Sequence, residues 1–166
     1  MGDYYTLRFS APLNDFGIGI VHKMLNPPGA RWEDLPEHPF AAEFAETWDR
    51  AGFIPYGGLA YEPDGWEEQV RRITDENVWQ VSCSVKLWAS SRDMILYFFR
   101  RILPPMLRAP ATGLLYAEYA YSAYSLTRID ASVHGDVTEL KLEAGEDDSW
   151  PFKPWYVETS KNLLGW

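Results

Sequence analysis

Trp79-Gln80-Val81-Ser82-Cys83-Ser84-Val85-Lys86-Leu87 alternates apolar and polar residues without a break. Successive side chains of a strand point to opposite faces. This register therefore puts Trp79, Val81, Cys83, Val85 and Leu87 on one face and Gln80, Ser82, Ser84 and Lys86 on the other. A helix of the same sequence would scatter its apolar residues around the circumference. The β-branched and aromatic content suits a pleated surface. One apolar and one polar face predicts an antiparallel sheet covered on one side and wet on the other.

The flanking sequence supplies the cover. Ser90 or Ser91 opens a helix with Asp93 in its first turn, and Met94, Ile95, Phe98, Phe99, Ile102 and Leu103 extend it until Pro104-Pro105 stops it. Apolar residues surround much of it, which predicts the central core helix. On the other side, residues 39–51 read as a helix with Pro39 in the first turn, Gly52 past the end, and Phe40, Phe44 and Trp48 along one face. Asp64 is placed to cap a shorter helix through about Ile73, with Trp66, Val70 and Ile73 inward.

More strands follow from the same period. Tyr5, Leu7 and Phe9 alternate with polar neighbours over residues 4–10. Residues 114–124 read as one tyrosine-heavy strand, with Tyr119 and Tyr121 on one face and Tyr116 and Tyr124 on the other. Residues 126–133 and 137–143 read as a hairpin turning at His134-Gly135-Asp136, with Leu140 and Leu142 pointing inward. Asp15–Leu25 fits either a short helix or a strand, and Asn26-Pro27-Pro28-Gly29 is a strong break after it. The expected fold class is α+β, an antiparallel sheet of about four to six strands packed on one face by two or three helices. Residues 1–166 form one domain, and 146–166 form a Trp-rich C-terminal tail docked on it.

Composition narrows the function classes. A chain of 166 residues with 16% aromatics is neither disordered nor in need of a disulfide or metal to fold. Cys83 is the single cysteine, so no intramolecular disulfide forms, and the start of the sequence shows no basic and apolar leader pattern. Both features lead to the expectation of a cytoplasmic protein with no membrane span. The net charge of −9 is regional: residues 33–76 hold twelve acidic and three basic residues, and the rest of the chain is neutral. Such a field disfavours nucleic acid and speeds encounter with a basic protein.

Catalytic signals are sparse. Cys83 falls on the inward strand face, where a thiol behaves as a small hydrophobe. No nucleophile elbow or phosphate-binding glycine loop is present. His22, His38 and His134 are dispersed, without metal-ligand spacing, so neither a metal nor a cofactor is expected. His38 and His134 read as surface or cap positions, while His22 with Lys23 could line a pocket. Glu118 shares a strand face with Tyr116, and a carboxylate there needs a partner if that face is covered. Arg92, Arg100, Arg101 and Arg108 form a basic edge expected to pair with the acidic helices.

These readings favour a non-enzymatic protein-binding module or inhibitor, an immunity-type neutraliser of a basic toxin or enzyme. Its acidic, aromatic-bearing face would comprise Trp32, Glu43, Glu46, Asp49, Tyr56, Tyr61, Trp66, Glu67 and Glu68. One alternative is a small-molecule binder or enzyme with a pocket between sheet and core helix, lined by Tyr119, Tyr121, Trp79 and Phe98, with Glu118 and His22 as acid and base. The other is a structural or assembly subunit, which requires a large exposed apolar patch. The oligomeric state is not set by the sequence.

Overall fold

The computed structural model describes residues 3–47, 70–87, 91–119, 123–142 and 154–166. Six strands form one antiparallel sheet: β1 (Asp3–Pro12), β2 (Arg71–Ile73), β3 (Val78–Leu87), β4 (Ala111–Tyr119), β5 (Ala123–Ala131) and β6 (Val137–Leu142). Their order is β2-β3-β1-β4-β5-β6. The alternating stretch that decides the fold is β3, paired with the first strand over ten residues from Asp3↔Leu87 to Pro12↔Val78. The helices are α1 (Asp15–Leu25), α2 (Ala41–Thr47), α3 (Ser91–Tyr97) and α4 (Pro154–Leu164). α3 continues into a π-helical turn, Phe98–Ile102.

Period two on the central strands builds the core. Leu7, Phe9 and Ala11 of β1, Trp79, Val81 and Cys83 of β3, and Leu115 and Ile129 all lie on one face and are at most 3% exposed. Phe98 and Phe99 press onto this face from the π-helical turn. Phe9 meets Trp79 edge to face at 5.1 Å and Phe99 at 5.9 Å. Each such fully buried side chain contributes about 1.5–3 kcal/mol of transfer free energy. Gly113 of β4 sits beneath Phe99, and a β-carbon there would come within 2.6 Å of the ring.

Around β1 and the adjoining part of β3 the opposite face of the sheet is not wet, contrary to the alternation. Gln80 and Ser82 are buried, as are Thr6 and Arg8 beside them. Helix α4 packs here. Arg8 Nη1 donates to Ser160 Oγ (3.2 Å), Ser10 Oγ donates to the Leu164 carbonyl (3.1 Å), and Trp166 Nε1 donates to Ser10 Oγ (2.9 Å). Leu164, Leu163 and Trp166 close a second small apolar cluster with Leu114, Tyr116 and Leu126. The polar residues Arg8 and Ser10 of β1 therefore face a hydrogen-bonding helix rather than water.

Three further expectations are corrected and one open reading is resolved. Residues 114–124 are not one strand: Ala111–Tyr119 and Ala123–Ala131 are separate antiparallel strands with Tyr119 paired to Ala123, and Tyr121 lies outside the described residues. The alternation continues through the reversal without glycine or proline, which hid it. The helix drawn from Asp64 to Ile73 does not reach its end, because Arg71–Ile73 is a strand paired with Val81–Trp79; residues 64–69 are outside the described set. Leu140 shares a face with Leu142 but is 58% exposed, because β6 is the sheet edge and only Leu142 reaches the second cluster. Asp15–Leu25 resolves as a helix. Asn14 caps it by accepting the N–H of Gly17 (2.8 Å).

Candidate functional site

The described part of the acidic segment is built on two short elements. The first is a 3-10 turn, Trp32–Asp34, closed by Asp34 N–H donating to the Arg31 carbonyl (3.0 Å) and Arg31 N–H donating to Asp34 Oδ2 (3.2 Å). The turn sends Trp32 inward and leaves Glu33 and Asp34 exposed. The second is α2, whose inner side carries Ala41 and Phe44 and whose outer side carries Glu43 and Glu46. Trp32 and Phe44 join the two elements edge to face at 5.8 Å, and Phe98 anchors both to the core, 5.9 Å from Trp32 and 6.1 Å from Phe44.

Trp32 is thus corrected from a surface aromatic to a core residue, 6% exposed. Its acidic neighbours suggested the surface, but the tight turn separates their directions. Glu43 and Glu46 are exposed. Asp49, Tyr56, Tyr61, Trp66, Glu67 and Glu68 lie outside the described residues.

Local electrostatics differ among these carboxylates. The Lys23 ammonium pairs with Glu37 and holds its carboxyl below the usual range. Arg31 stands 3.6 Å from Glu33 with both side chains exposed, a pairing worth little. Burial, and then the negative charge of Glu43, push the Tyr97 hydroxyl above its usual pKa, so it stays protonated beside that carboxylate.

Three arginines of the basic edge have described contacts. Arg92 pairs with Glu139 of β6, Arg108 Nη2 donates to the Glu76 carbonyl (2.6 Å), and Arg101 lies over the Phe40 ring at 5.3 Å. Two of these three partners are neither acidic side chains nor helical, and the third belongs to an edge strand. His38 is also corrected in part: it is 3% exposed, so it is no surface residue, but its ring caps backbone groups on both sides.

A cleft of about 580 Å³ opens where α1 ends, lined by His22, Lys23, Asn26, Pro27, Pro28, Gly29, Ala30 and Asp34. Its wall folds back because Ala30 N–H donates to the Lys23 carbonyl (2.8 Å) and Gly29 N–H to the Asn26 carbonyl (2.8 Å), with Gly29 at φ 79°. The sequence placed His22 and Lys23 beside a possible pocket. It gave Asn26–Ala30 and Asp34 no role, and the only signal there was the Pro-Gly break. The pocket drawn between sheet and core helix is filled at its described end, where Trp79 and Phe98 are fully buried with rings 6.3 Å apart. Glu118 pairs with Tyr4 near the start of β1, whereas α1 and His22 follow from the far end of that strand. No described contact joins them.

Among the described residues there is no group of three or more His, Cys, Asp or Glu able to hold a metal. Nor is any described helix long and apolar enough to cross a membrane. Phe16 and Leu140 are the only large exposed apolar side chains described, so these residues form no extended apolar patch. Comparison with known protein families, with curated protein sequences and with solved structures finds no match.

Proposed function

We propose that the protein is a non-enzymatic binding protein that engages a basic protein through the acidic side of residues 32–76, in the manner of an immunity-type inhibitor. One observation carries this reading. Glu33, Asp34, Glu43 and Glu46 are exposed on two adjoining elements whose inner sides are pinned to the core by Trp32, Phe44 and Phe98. Carboxylates on a fixed base present their charge without a backbone ordering cost on binding, which favours fast, salt-sensitive encounter with a cationic surface.

The test is affinity capture from the source lysate, followed by titration of the purified partner against wild type and an E33K/E43K/E46K variant at low and high salt. The reading expects a basic partner, at least tenfold weaker binding by the variant, and a loss of affinity with salt in the wild type. Equal binding by both proteins overturns it.

The cleft beside α1 supports a second reading, a small-molecule site at His22 and Asp34. It predicts that a fragment screen followed by amide NMR shifts maps hits onto His22, Lys23, Asn26, Gly29 and Ala30. Hits scattered elsewhere refute it.

A further inference from the structure

Among the described residues, no strand pairs with the outer edge of β6. In the β5–β6 hairpin, Ser132 N–H donates to the Asp136 carbonyl, and the register runs from Ala131↔Val137 to Leu126↔Leu142. Antiparallel pairs alternate between hydrogen-bonded and non-hydrogen-bonded. Thr138, Leu140 and Leu142 therefore spend their backbone groups on β5, and the N–H and C=O groups of Val137, Glu139 and Lys141 point outward. Among the described residues no strand takes them. Thr138, Glu139, Leu140 and Lys141 are all exposed, with Leu140 the most exposed large apolar side chain described.

We infer that this edge pairs with β6 of a second copy, antiparallel, with Leu140 on the two-fold axis. The register follows from three independent features. Outward backbone groups must face outward backbone groups, which pairs Glu139 of one copy with Lys141 of the other, twice. Those two pairs bring opposite charges face to face on the helix side of the sheet. Leu140 then meets Leu140 as a non-hydrogen-bonded pair, the closer kind, on the other face. Shifting the register by two residues in either direction breaks the Glu–Lys match or removes the Leu–Leu contact. A lysine on an edge strand ordinarily repels added strands; here Glu139 of the incoming copy neutralises it. The Arg92 ion pair to Glu139 leaves that carboxylate on the helix side, where Lys141 arrives.

A six-residue strand junction is a small interface, at or below about 1,000 Å² in total, so the dimer is concentration-dependent. Sedimentation velocity from micromolar to millimolar protein tests it. Wild type shifts from monomer toward dimer across that range. L140K and K141E each weaken self-association by about tenfold or more. R92E/E139K/K141E restores it, because the swap rebuilds the opposite-charge pairs and keeps residue 92 opposite in sign to residue 139. Hydrogen exchange adds a register-specific readout: the Glu139 and Lys141 amides gain protection with concentration, and the Thr138 and Leu140 amides do not change. Thermal melts at low concentration establish that each variant folds. A wild type that stays monomeric throughout, a K141E variant that dimerises as well as wild type, or a triple variant without rescue each overturns the proposal.

Discussion

Nε2 of His38 lies 2.9 Å from the carbonyl oxygen of Ile102, and its Nδ1 lies 3.1 Å from the backbone nitrogen of Phe40. A carbonyl only accepts and a backbone N–H only donates, so the ring is neutral with its proton on Nε2. The need for it arises in the core helix. Pro104 and Pro105 cannot donate, and the Met106 N–H goes to Leu103, so the last turn is short of donors for its carbonyls. His38 supplies the one for Ile102 from a different segment. Phe16, Trp32 and Phe40 surround the imidazole, with ring centroids 6.0–6.4 Å away.

That arrangement makes stability fall in mild acid. Desolvation holds the His38 pKa below its usual 6.5, against smaller opposing effects of the Ile102 carbonyl and Glu37. The unfolded chain therefore takes up a proton first as pH falls. Stability from this group is complete above about pH 6.5 and is lost from there down through the folded-state value. Glu37, also lowered, acts in the same direction but only below about 4.5, which separates the two windows. Denaturant unfolding at pH 7.5 and pH 5 should show a decline in wild type that is much reduced in H38Q. Equal declines would remove His38 as the cause.

How much of this was legible depends on whether the determinant is local. The β3 alternation, the β1 period and the turn at His134-Gly135-Asp136 are local, and each is found where the residues place it. Gly135 at φ 88° supplies the turn, and a β-carbon there would meet the Arg100 carbonyl at 2.8 Å. The covered second face was not legible, because Arg8 and Ser10 of β1 and Leu114, Tyr116 and Leu126 beside them are covered by a segment distant from them in sequence. The inward turn of Trp32 depends on a single 3-10 turn, too short to leave a period. Of the candidate binding residues, only Glu43 and Glu46 fall on a described surface.

Two glycines of α1 should respond to alanine with opposite signs. At Gly17 a β-carbon would stand 2.3 Å from the Met106 carbonyl oxygen, a backbone atom that cannot step aside. At Gly19 nothing lies within 4 Å and the position is exposed. G17A should therefore destabilise by about 1–3 kcal/mol or more, and G19A should stabilise by about 0.4–1 kcal/mol through helix propensity and a less flexible unfolded chain. Midpoints of urea unfolding decide both.

Cys83 should behave as a packing group with no accessible thiol. Its side chain is 0% exposed on the core face of β3. Labelling by an aromatic disulfide reagent should proceed no faster than global unfolding and become immediate in denaturant. C83S should destabilise by about 1–3 kcal/mol, since a hydroxyl is costlier to bury than a thiol, while C83A should leave a smaller defect. Fast native-state labelling would contradict the packing.

The C-terminal helix should be held as much by polar contacts as by apolar ones. Trp166 donates to Ser10 and lies 5.0 Å from the Arg8 guanidinium, while Ser160, fully buried, accepts from Arg8. S160A removes a hydrogen bond to a buried charge, and its expected cost is about 1.5–3 kcal/mol. W166A removes a hydrogen bond, a cation–π contact and apolar cover over Leu114 and Leu126, and should cost at least as much. Both act on Arg8, so the double variant should cost less than the sum of the two. A double-mutant cycle by chemical denaturation measures that coupling. Strict additivity would mean that the helix is anchored at two unrelated points, and that Arg8 does not link them.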